Sequence, residues 1–212
     1  MKRITLPTLL LSFIMAVHSG TPPVKHKTVY DYSLVGLDGK EVSLSTYKGK
    51  VLLIVNLASQ SIYKDQIAAL EQLQKAYVDK GLVLIGIPSS DFSTQEPGDA
   101  AAIKQYYLDT QHVTFPIYAK VPLRGKDEIP LARFLTDPKD SLPGGDIHWS
   151  FTKFLIDRAG KPVARFEVDS DPADPEFHVT VEQVLDGSYK KKEGTGKDGS
   201  APVGRDDDDD DV

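Results

Sequence analysis

At residues 51–57 the sequence reads VLLIVNL, a continuous apolar run that lies between Gly49 and Ser59. An unbroken run of this length is typical of a β-strand that is buried on both faces, whereas a strand with one solvated face alternates apolar and polar residues. The run therefore predicts a central strand in a sheet that is covered on both sides.

The following segments predict a helix and then a second buried strand. Within residues 65–80, apolar side chains recur at helical spacing from Ile67 to Tyr77, and charged side chains occupy the opposite face. Gly81 ends this helix, and residues 82–87 form another apolar run. Strand, helix and strand in this order predict a right-handed parallel crossover unit.

The other predicted elements extend the sheet and add helices. They are a hairpin of strands 29–35 and 41–44, a helix at 100–108, a short strand at 113–118, a short helix at 130–135, a hairpin of strands 151–156 and 163–166, and a helix at 175–185. Together they predict an α/β architecture, with an N-terminal β-hairpin and a central mixed β-sheet that has helices on both faces.

Both ends of the chain differ in composition from the folded domain, which is predicted at residues 21–187. Residues 1–20 begin with basic residues and continue as an apolar run too short to span a bilayer, which predicts a cleaved signal peptide rather than a membrane anchor. Residues 188–212 predict a disordered charged tail that ends in six aspartates, from Asp206 to Asp211. We therefore expect a secreted or periplasmic protein with no membrane attachment after signal cleavage.

Composition excludes several classes of function. The chain of 212 residues has a formal net charge of −6, and the aspartate run alone carries six negative charges, so no basic surface for nucleic acid is expected. The absence of cysteine excludes disulfide bonds, a thiol nucleophile and any thiolate metal site. We expect neither a cofactor nor a bound metal ion in the folded domain.

A set of short motifs occurs in order between residues 30 and 185. They are VNLAS at 55–59, GIP at 86–88, QEPG at 95–98, Trp149, and FTKFL at 151–155. In this order and spacing they resemble the glutathione peroxidase family, and the resemblance covers essentially the whole folded domain. It implies a thioredoxin-like fold. The short stretch at 136–148, where tetrameric members carry an insertion, implies a monomer.

The resemblance also implies the positions of a catalytic site. Family members reduce hydroperoxides with a cysteine or selenocysteine, helped by a glutamine, a tryptophan and an asparagine. Matched to the motifs, these positions are Ser61, Asp91, Trp149 and Ser150, so only the tryptophan agrees with the family pattern. Further departures from the pattern are Ile62, Lys64 and Ser89.

A serine at the reactive position is not expected to support peroxide reduction. The reaction needs an atom that is anionic near neutral pH and that accepts an oxygen to give a sulfenic-type state. A serine hydroxyl has a pKa many units above the ~8.5 of a free thiol, and its oxygen forms no stable counterpart of a sulfenic acid. A carboxylate at Asp91 would also raise the pKa of a nearby thiol. A cysteine or selenocysteine recorded as serine would explain Ser61, but not Asp91 and Ser150 as well.

The sequence thus predicts an exported glutathione-peroxidase-like protein without peroxidase activity, retained as a binding or structural module. One alternative is a working thiol-dependent hydroperoxide reductase. In either case, a hydroperoxide or a thiol is the ligand expected in the pocket around Ser61. A second alternative is an acidic extracellular protein that binds cations. The aspartate run offers the oxygen ligands that Ca²⁺ prefers, but no spaced glycine or glutamate fixes a geometry, so binding by this run is expected to be weak.

Other roles for the same residues have less support. Ser61, His148 and Asp91 would supply the residue types of a hydrolytic triad, but a hydrogen-bonded loop serine is the simpler interpretation. Asp91 and His148 would supply two metal ligands without a recognisable spacing. Trp149 is expected to pack at the start of a strand rather than to bind a ligand through its indole N–H.

Overall fold

A small antiparallel hairpin begins the part of the chain that the computed structural model describes, which comprises residues 27–139 and 144–190. Strand β1 (Ser33–Val35) pairs with β2 (Glu41–Ser43), and Leu34 is buried. This confirms the predicted hairpin, although its first strand is shorter than expected because Val29–Asp31 form a 3-10 turn. The predicted signal peptide and the aspartate run lie outside the described residues.

The central sheet contains four strands in the order β4-β3-β5-β6. These strands are β3 (Val51–Leu57), β4 (Leu82–Pro88), β5 (Lys153–Ile156) and β6 (Pro162–Phe166). Strand β3 runs parallel to β4 and antiparallel to β5, which is antiparallel to β6. All seven residues of β3 are buried, as expected for a continuous apolar run at the centre of a covered sheet. The predicted mixed sheet is confirmed, but its parallel pair, β4 and β3, lies at one side of the sheet and not at its centre.

Four α-helices accompany this sheet in the described residues. They are α1 (Gln66–Tyr77), α2 (Ala100–Lys104), which continues as a π-helical segment (Gln105–Thr110), α3 (Pro130–Thr136) and α4 (Pro175–Asp186). Helix α1 connects the parallel strands β3 and β4. A 3-10 turn (Val78–Lys80) follows α1 and ends at Gly81, whose φ of 96° lies in the left-handed region that favours glycine.

Alternate residues of β3 face two separate apolar clusters. On one side Val55 belongs to the cluster that contains Leu70 of α1 and Val181 of α4. On the other side Ile54 belongs to the cluster that contains Leu131 of α3. Because successive side chains of a strand point to opposite faces, α1 and α4 cover one face of the sheet and α3 covers the other.

The strand predicted at residues 113–118 is wrong. This segment makes isolated bridges, one of them between Ile117 and Gly86 of β4. Pro116 has no backbone N–H to donate to a ladder, and the N–H of Thr114 donates instead to the Glu71 carboxylate at 2.8 Å. The segment therefore lies beside β4 without forming a strand of the sheet.

The ends of the strands position the predicted site. Leu57 pairs with Pro88 at the carboxyl ends of β3 and β4, and Val55 pairs with Lys153 at the start of β5. The loops after β3 and β4 and the loop before β5 therefore meet at one end of the sheet. Within residues 27–139 and 144–190, every helix is too short or too polar to span a bilayer.

Candidate functional site

Ser61 and Ser150 meet although they are far apart in the sequence. Ser61 lies in the loop between β3 and α1, and Ser150 lies in the loop before β5. The N–H of Asn56 donates to the carbonyl of Thr152, which holds the second loop against the end of β3. The two serine Oγ atoms are 2.9 Å apart, and the two residues are only 1% and 0% exposed. Two of the four predicted site positions therefore form a closed polar contact.

Hydrogen bonds converge on the Ser61 hydroxyl. Ser150 Oγ donates to Ser61 Oγ and lies 3.1 Å from Gln95 Oε1, while the N–H of Tyr63 donates to Ser61 Oγ at 3.2 Å. A hydroxyl carries one proton, so Ser150 donates to one of its two acceptors at a time. No basic side chain among the described residues is hydrogen-bonded to Ser61, so nothing there could take up its proton.

Asp91 is engaged by a neighbouring loop rather than by Ser61. Its Oδ2 accepts hydrogen bonds from the Ser89 hydroxyl at 3.0 Å and from the backbone N–H groups of Leu123 and Arg124 at 2.5 and 3.2 Å. It has no hydrogen bond to either site serine within the described part of the chain. The carboxylate expected beside the reactive position therefore serves to hold the backbone at residues 123 and 124.

The main chain of Trp149 is held by two hydrogen bonds. Its carbonyl oxygen accepts hydrogen bonds from Asn56 Nδ2 and Thr152 Oγ1, both at 3.0 Å. The residue itself is 51% exposed. The prediction that Trp149 packs at the start of a strand is therefore wrong, because the chain fixes its main chain and leaves the side chain available at the surface.

The loop before β5 has a constrained backbone. Phe151 is fully buried, and its φ of 63° lies in the left-handed region that bulky residues rarely adopt. Its N–H donates to the carbonyl of Asn56 at 2.6 Å. Such a conformation costs on the order of 1–3 kcal/mol and persists only where the surrounding structure imposes it. The position of Ser150 is therefore determined by the packing of its neighbours.

A buried carboxylate joins the two loops that carry Ser61 and Gln95. Glu96 is 1% exposed, and it accepts hydrogen bonds from the N–H and the hydroxyl of Ser59 and from the hydroxyl of Tyr107, at 2.9, 2.8 and 2.7 Å. Burial, together with the charge of Glu96, raises the pKa of Tyr107 well above its ordinary value. The phenol therefore stays protonated and continues to donate to the carboxylate.

Lys153 of β5 is a fully buried amine close to these loops. Its Nζ donates to the carbonyls of Ser170 and Glu167, at 2.9 and 3.5 Å. Desolvation lowers its pKa to about 8, an effect that is opposed by the carboxylates of Asp171, Asp169 and Glu167. The amine holds the turn that follows β6.

Replacing Lys153 with methionine is expected to remove a pH dependence of stability. The pKa of the amine is about 8 in the folded chain and 10.5 without the fold, so between these values the unfolded chain binds more protons. Relative to Lys153→Met, the free energy of unfolding of the native protein should therefore rise across this range, by up to about 3 kcal/mol. Urea unfolding at several pH values measures this difference. The exposed Lys64→Met is the matched control, and a constant difference for Lys153→Met would contradict the depressed pKa.

The described residues do not form either of the other two sites that were considered, a hydrolytic triad or a metal site. His148 is exposed and has no hydrogen bond to Ser61 in the described residues, so a Ser-His-Asp arrangement is missing there. In the same part of the chain, no group of three or more His, Asp or Glu side chains is arranged to hold a metal ion. Asp91 is instead committed to the backbone contacts described above.

Gln95, Glu96 and Asn56 were not predicted as site residues from the sequence. All three belong to motifs that were recognised, QEPG and VNLAS, and their place in those motifs was the available signal. The sequence does not show that Gln95, and not Asp91, reaches Ser150. That choice depends on the path of the loop between them.

Comparisons with known proteins agree on the family. The family model described as glutathione peroxidase matches residues 29–136. A glutathione peroxidase of Lactococcus lactis subsp. cremoris is 39% identical over 150 residues, which cover 71% of this chain and 96% of that protein. A hydroperoxy fatty acid reductase of Synechocystis is 40% identical over 166 residues, which cover 76% of this chain and 97% of that protein.

Solved structures agree on the fold. The apo crystal structure of Trgpx has a TM-score of 0.61 at 29% identity, and the match covers 76% of this chain and 96% of that one. A thiol:disulfide interchange protein of the thioredoxin family from Chlorobium tepidum has a TM-score of 0.56 at 21% identity, with 79% and 99% covered. The predicted thioredoxin-like fold is therefore confirmed.

Proposed function

Because the chain belongs to the glutathione peroxidase family, we propose that it is an exported member that lacks peroxidase activity and serves as a binding or structural module. The observation that carries this proposal is the buried hydroxyl of Ser61 at the position matched to the reactive residue. In addition, the sequence beyond residue 20 contains neither cysteine nor methionine, since its two methionines are Met1 and Met15. A folded domain without sulfur cannot form a sulfenic acid or a disulfide.

The closed contact between Ser61 and Ser150 also bears on what such a module binds. Both hydroxyls are buried and satisfied by neighbouring groups, so a ligand could reach them only by breaking those hydrogen bonds. The residues next to them are exposed, Ile62 by 81% and Trp149 by 51%. A hydroperoxide or thiol ligand at this end of the sheet would therefore contact these two apolar side chains rather than a reactive atom.

A working hydroperoxide reductase is the second candidate function. It is favoured by the names of the relatives, a glutathione peroxidase in L. lactis and a hydroperoxy fatty acid reductase in Synechocystis. In this chain the activity would require an oxygen acceptor other than a thiolate, and the hydroxyl of Ser61 is not ionised near neutral pH. We therefore rank it below a member without activity.

A coupled turnover assay tests the proposed function. The purified protein is given hydrogen peroxide or an organic hydroperoxide, with glutathione or thioredoxin as the electron donor. We expect no hydroperoxide consumption above that of the heat-denatured protein, because no side chain of the folded domain can cycle between thiol and sulfenic states. Sustained turnover by the native chain would favour the second candidate.

Export, the monomeric state and the tail belong to the same proposal. Residues 1–20 direct the chain to the periplasm or the exterior, where it is a monomer without a membrane anchor or a nucleic-acid partner, and the aspartate run binds Ca²⁺ at most weakly. The N-terminal sequence and solution mass of the protein recovered from that compartment test this. A chain that retains residues 1–20, or an oligomer, would contradict it.

A further inference from the structure

An open polar cavity of about 210 Å³ lies beside the closed site. Its walls are the loop that begins at Leu123, the end of α3, and the residues just before Trp149. The charged or ionisable residues that line it are Arg124, Glu128, Asp146 and His148. Pockets for drug-sized ligands measure roughly 300–1,000 Å³, so this cavity suits a smaller polar molecule.

One charge of each sign in this cavity, on Arg124 and on Asp146, has no ion-pair partner within the described residues. The Arg124 guanidinium makes no ion pair and lies 4.8 Å from the centre of the Phe92 ring. The Asp146 carboxylate likewise has neither an ion pair nor a hydrogen bond there. Glu128, by contrast, is paired with Arg133 Nε at 3.0 Å. One cation and one anion therefore stay available to a ligand.

The backbone behind both free charges is fixed. The N–H of Arg124 donates to Asp91 Oδ2, and the guanidinium of Arg165 donates to the carbonyl of Asp146 at 2.7 Å. The carbonyl of Gly145 accepts a second hydrogen bond from the same guanidinium. Asp91, which stands where the family pattern has glutamine, thus supports the wall of this cavity. A site with fixed walls loses little conformational entropy when a ligand binds.

We propose that this cavity binds a small zwitterion, a molecule with one carboxylate and one ammonium group such as a free amino acid. The guanidinium of Arg124 receives the carboxylate in a bidentate hydrogen-bonded pair, and the carboxylate of Asp146 receives the ammonium. Each charge of such a ligand meets an opposite charge, so neither is left unpaired on binding. The inference rests on the proposed function, since it gives the binding module a ligand site separate from the surface formed by Ile62 and Trp149.

Titration with a series of amino acids of increasing charge separation tests the inference. Glycine, β-alanine, γ-aminobutyrate and ε-aminocaproate are added to the folded protein, and the amide resonances of Leu123, Gly125 and Ile147 are followed by NMR. We expect at least one of them to bind with a Kd on the order of 1 mM or tighter. Propionate and propylamine, which carry one charge each, should bind at least about tenfold more weakly.

Charge-removing variants locate the binding. Arg124→Gln and Asp146→Asn should each weaken binding by about tenfold or more. Lys126→Gln and Asp127→Asn remove the same charges from residues that do not line the cavity, and they should leave the affinity unchanged. Unaltered binding by the first two variants, or no shifts with any member of the series, would overturn the inference. Amino-acid binding and peroxidase turnover are measured independently. A failure of this inference can therefore be distinguished from a failure of the proposed function.

Discussion

Substitution of cysteine for Ser61 should give the chain a peroxide-reactive thiol that the native protein lacks. The N–H of Tyr63 and the hydroxyl of Ser150 both donate to the atom at this position, and donors of this kind stabilise a thiolate and lower the pKa of the thiol. The thiolate attacks hydrogen peroxide, and a sulfur–oxygen bond forms as the oxygen–oxygen bond breaks. The departing hydroxide takes up the proton that the thiol had lost and leaves as water. We expect Ser61→Cys to consume about one equivalent of hydrogen peroxide.

The remaining departures from the family pattern should limit the rate of this reaction. Addition of Asp91→Gln and Ser150→Asn to Ser61→Cys restores the side-chain types that the resemblance assigns to the site. The Ser150 hydroxyl shares one proton between Ser61 and Gln95, whereas an asparagine amide has two N–H donors. One well-placed donor contributes on the order of 10²-fold to such a step, so the triple variant should react faster than Ser61→Cys by up to about that factor. Stopped-flow measurement of peroxide loss gives both rates.

An exposed thiol elsewhere in the same protein provides the control. Ser33→Cys places a cysteine on β1, where the side chain is exposed and distant in sequence from the site loops. If Ser61→Cys reacts no faster than Ser33→Cys, the hydrogen bonds at position 61 do not activate a thiolate. The loops would then be a structural contact only.

Loss of the Glu96 carboxylate should cause a large fall in the free energy of unfolding. Glu96→Leu leaves three donors without an acceptor, the N–H and hydroxyl of Ser59 and the hydroxyl of Tyr107, of which Tyr107 is fully buried. Each buried donor left unsatisfied costs about 1–3 kcal/mol, while removal of a buried charge offsets part of this. We expect the free energy of unfolding to fall by about 3 kcal/mol in urea denaturation.

Glu182→Leu is the matched control for this change. Glu182 also accepts a tyrosine hydroxyl, that of Tyr77 at 3.1 Å, and pairs with Lys80 at 3.7 Å, but about half of its side chain is exposed. Exposed ion pairs contribute roughly 0–1 kcal/mol, so this variant should lose little. If the two variants lost equal free energy of unfolding, the hydrogen bonds of Glu96 would not hold the site loops together more strongly than an exposed contact does.

Much of the fold could be predicted because the pattern of apolar residues within one strand or helix indicates which of its side chains are buried. The apolar run at residues 51–57 and the helical pattern from Ile67 to Tyr77 each report which side chains are covered, without reference to distant residues. The strand expected at 113–118 failed for the opposite reason. Its apolar residues do face the core, but Pro116 and the side chain of Glu71 decide where its backbone hydrogen bonds go.

The site was harder to predict because the paths of its loops determine which side chains come into contact. The motifs placed Ser61 and Ser150 in the same site, and their Oγ atoms are in contact. Between Asp91 and Gln95, however, Ser93 and Thr94 adopt consecutive left-handed conformations, with φ of 57° and 53°. The residue types do not predict this turn, since neither residue is glycine or asparagine. It is within this loop that Asp91 comes to bind Leu123 and Arg124 while Gln95 comes to bind Ser150.

Hydroperoxide consumption in the absence of any thiol donor tests the central claim most directly. The chain without residues 1–20 is incubated with one equivalent of hydrogen peroxide, the peroxide is measured, and the intact mass of the protein is recorded, with Ser61→Cys treated in parallel. We predict no loss of peroxide beyond the buffer control and an unchanged mass for the native chain, whereas Ser61→Cys gains one oxygen atom. A native chain that consumed an equivalent of peroxide and gained an oxygen atom would contradict the account.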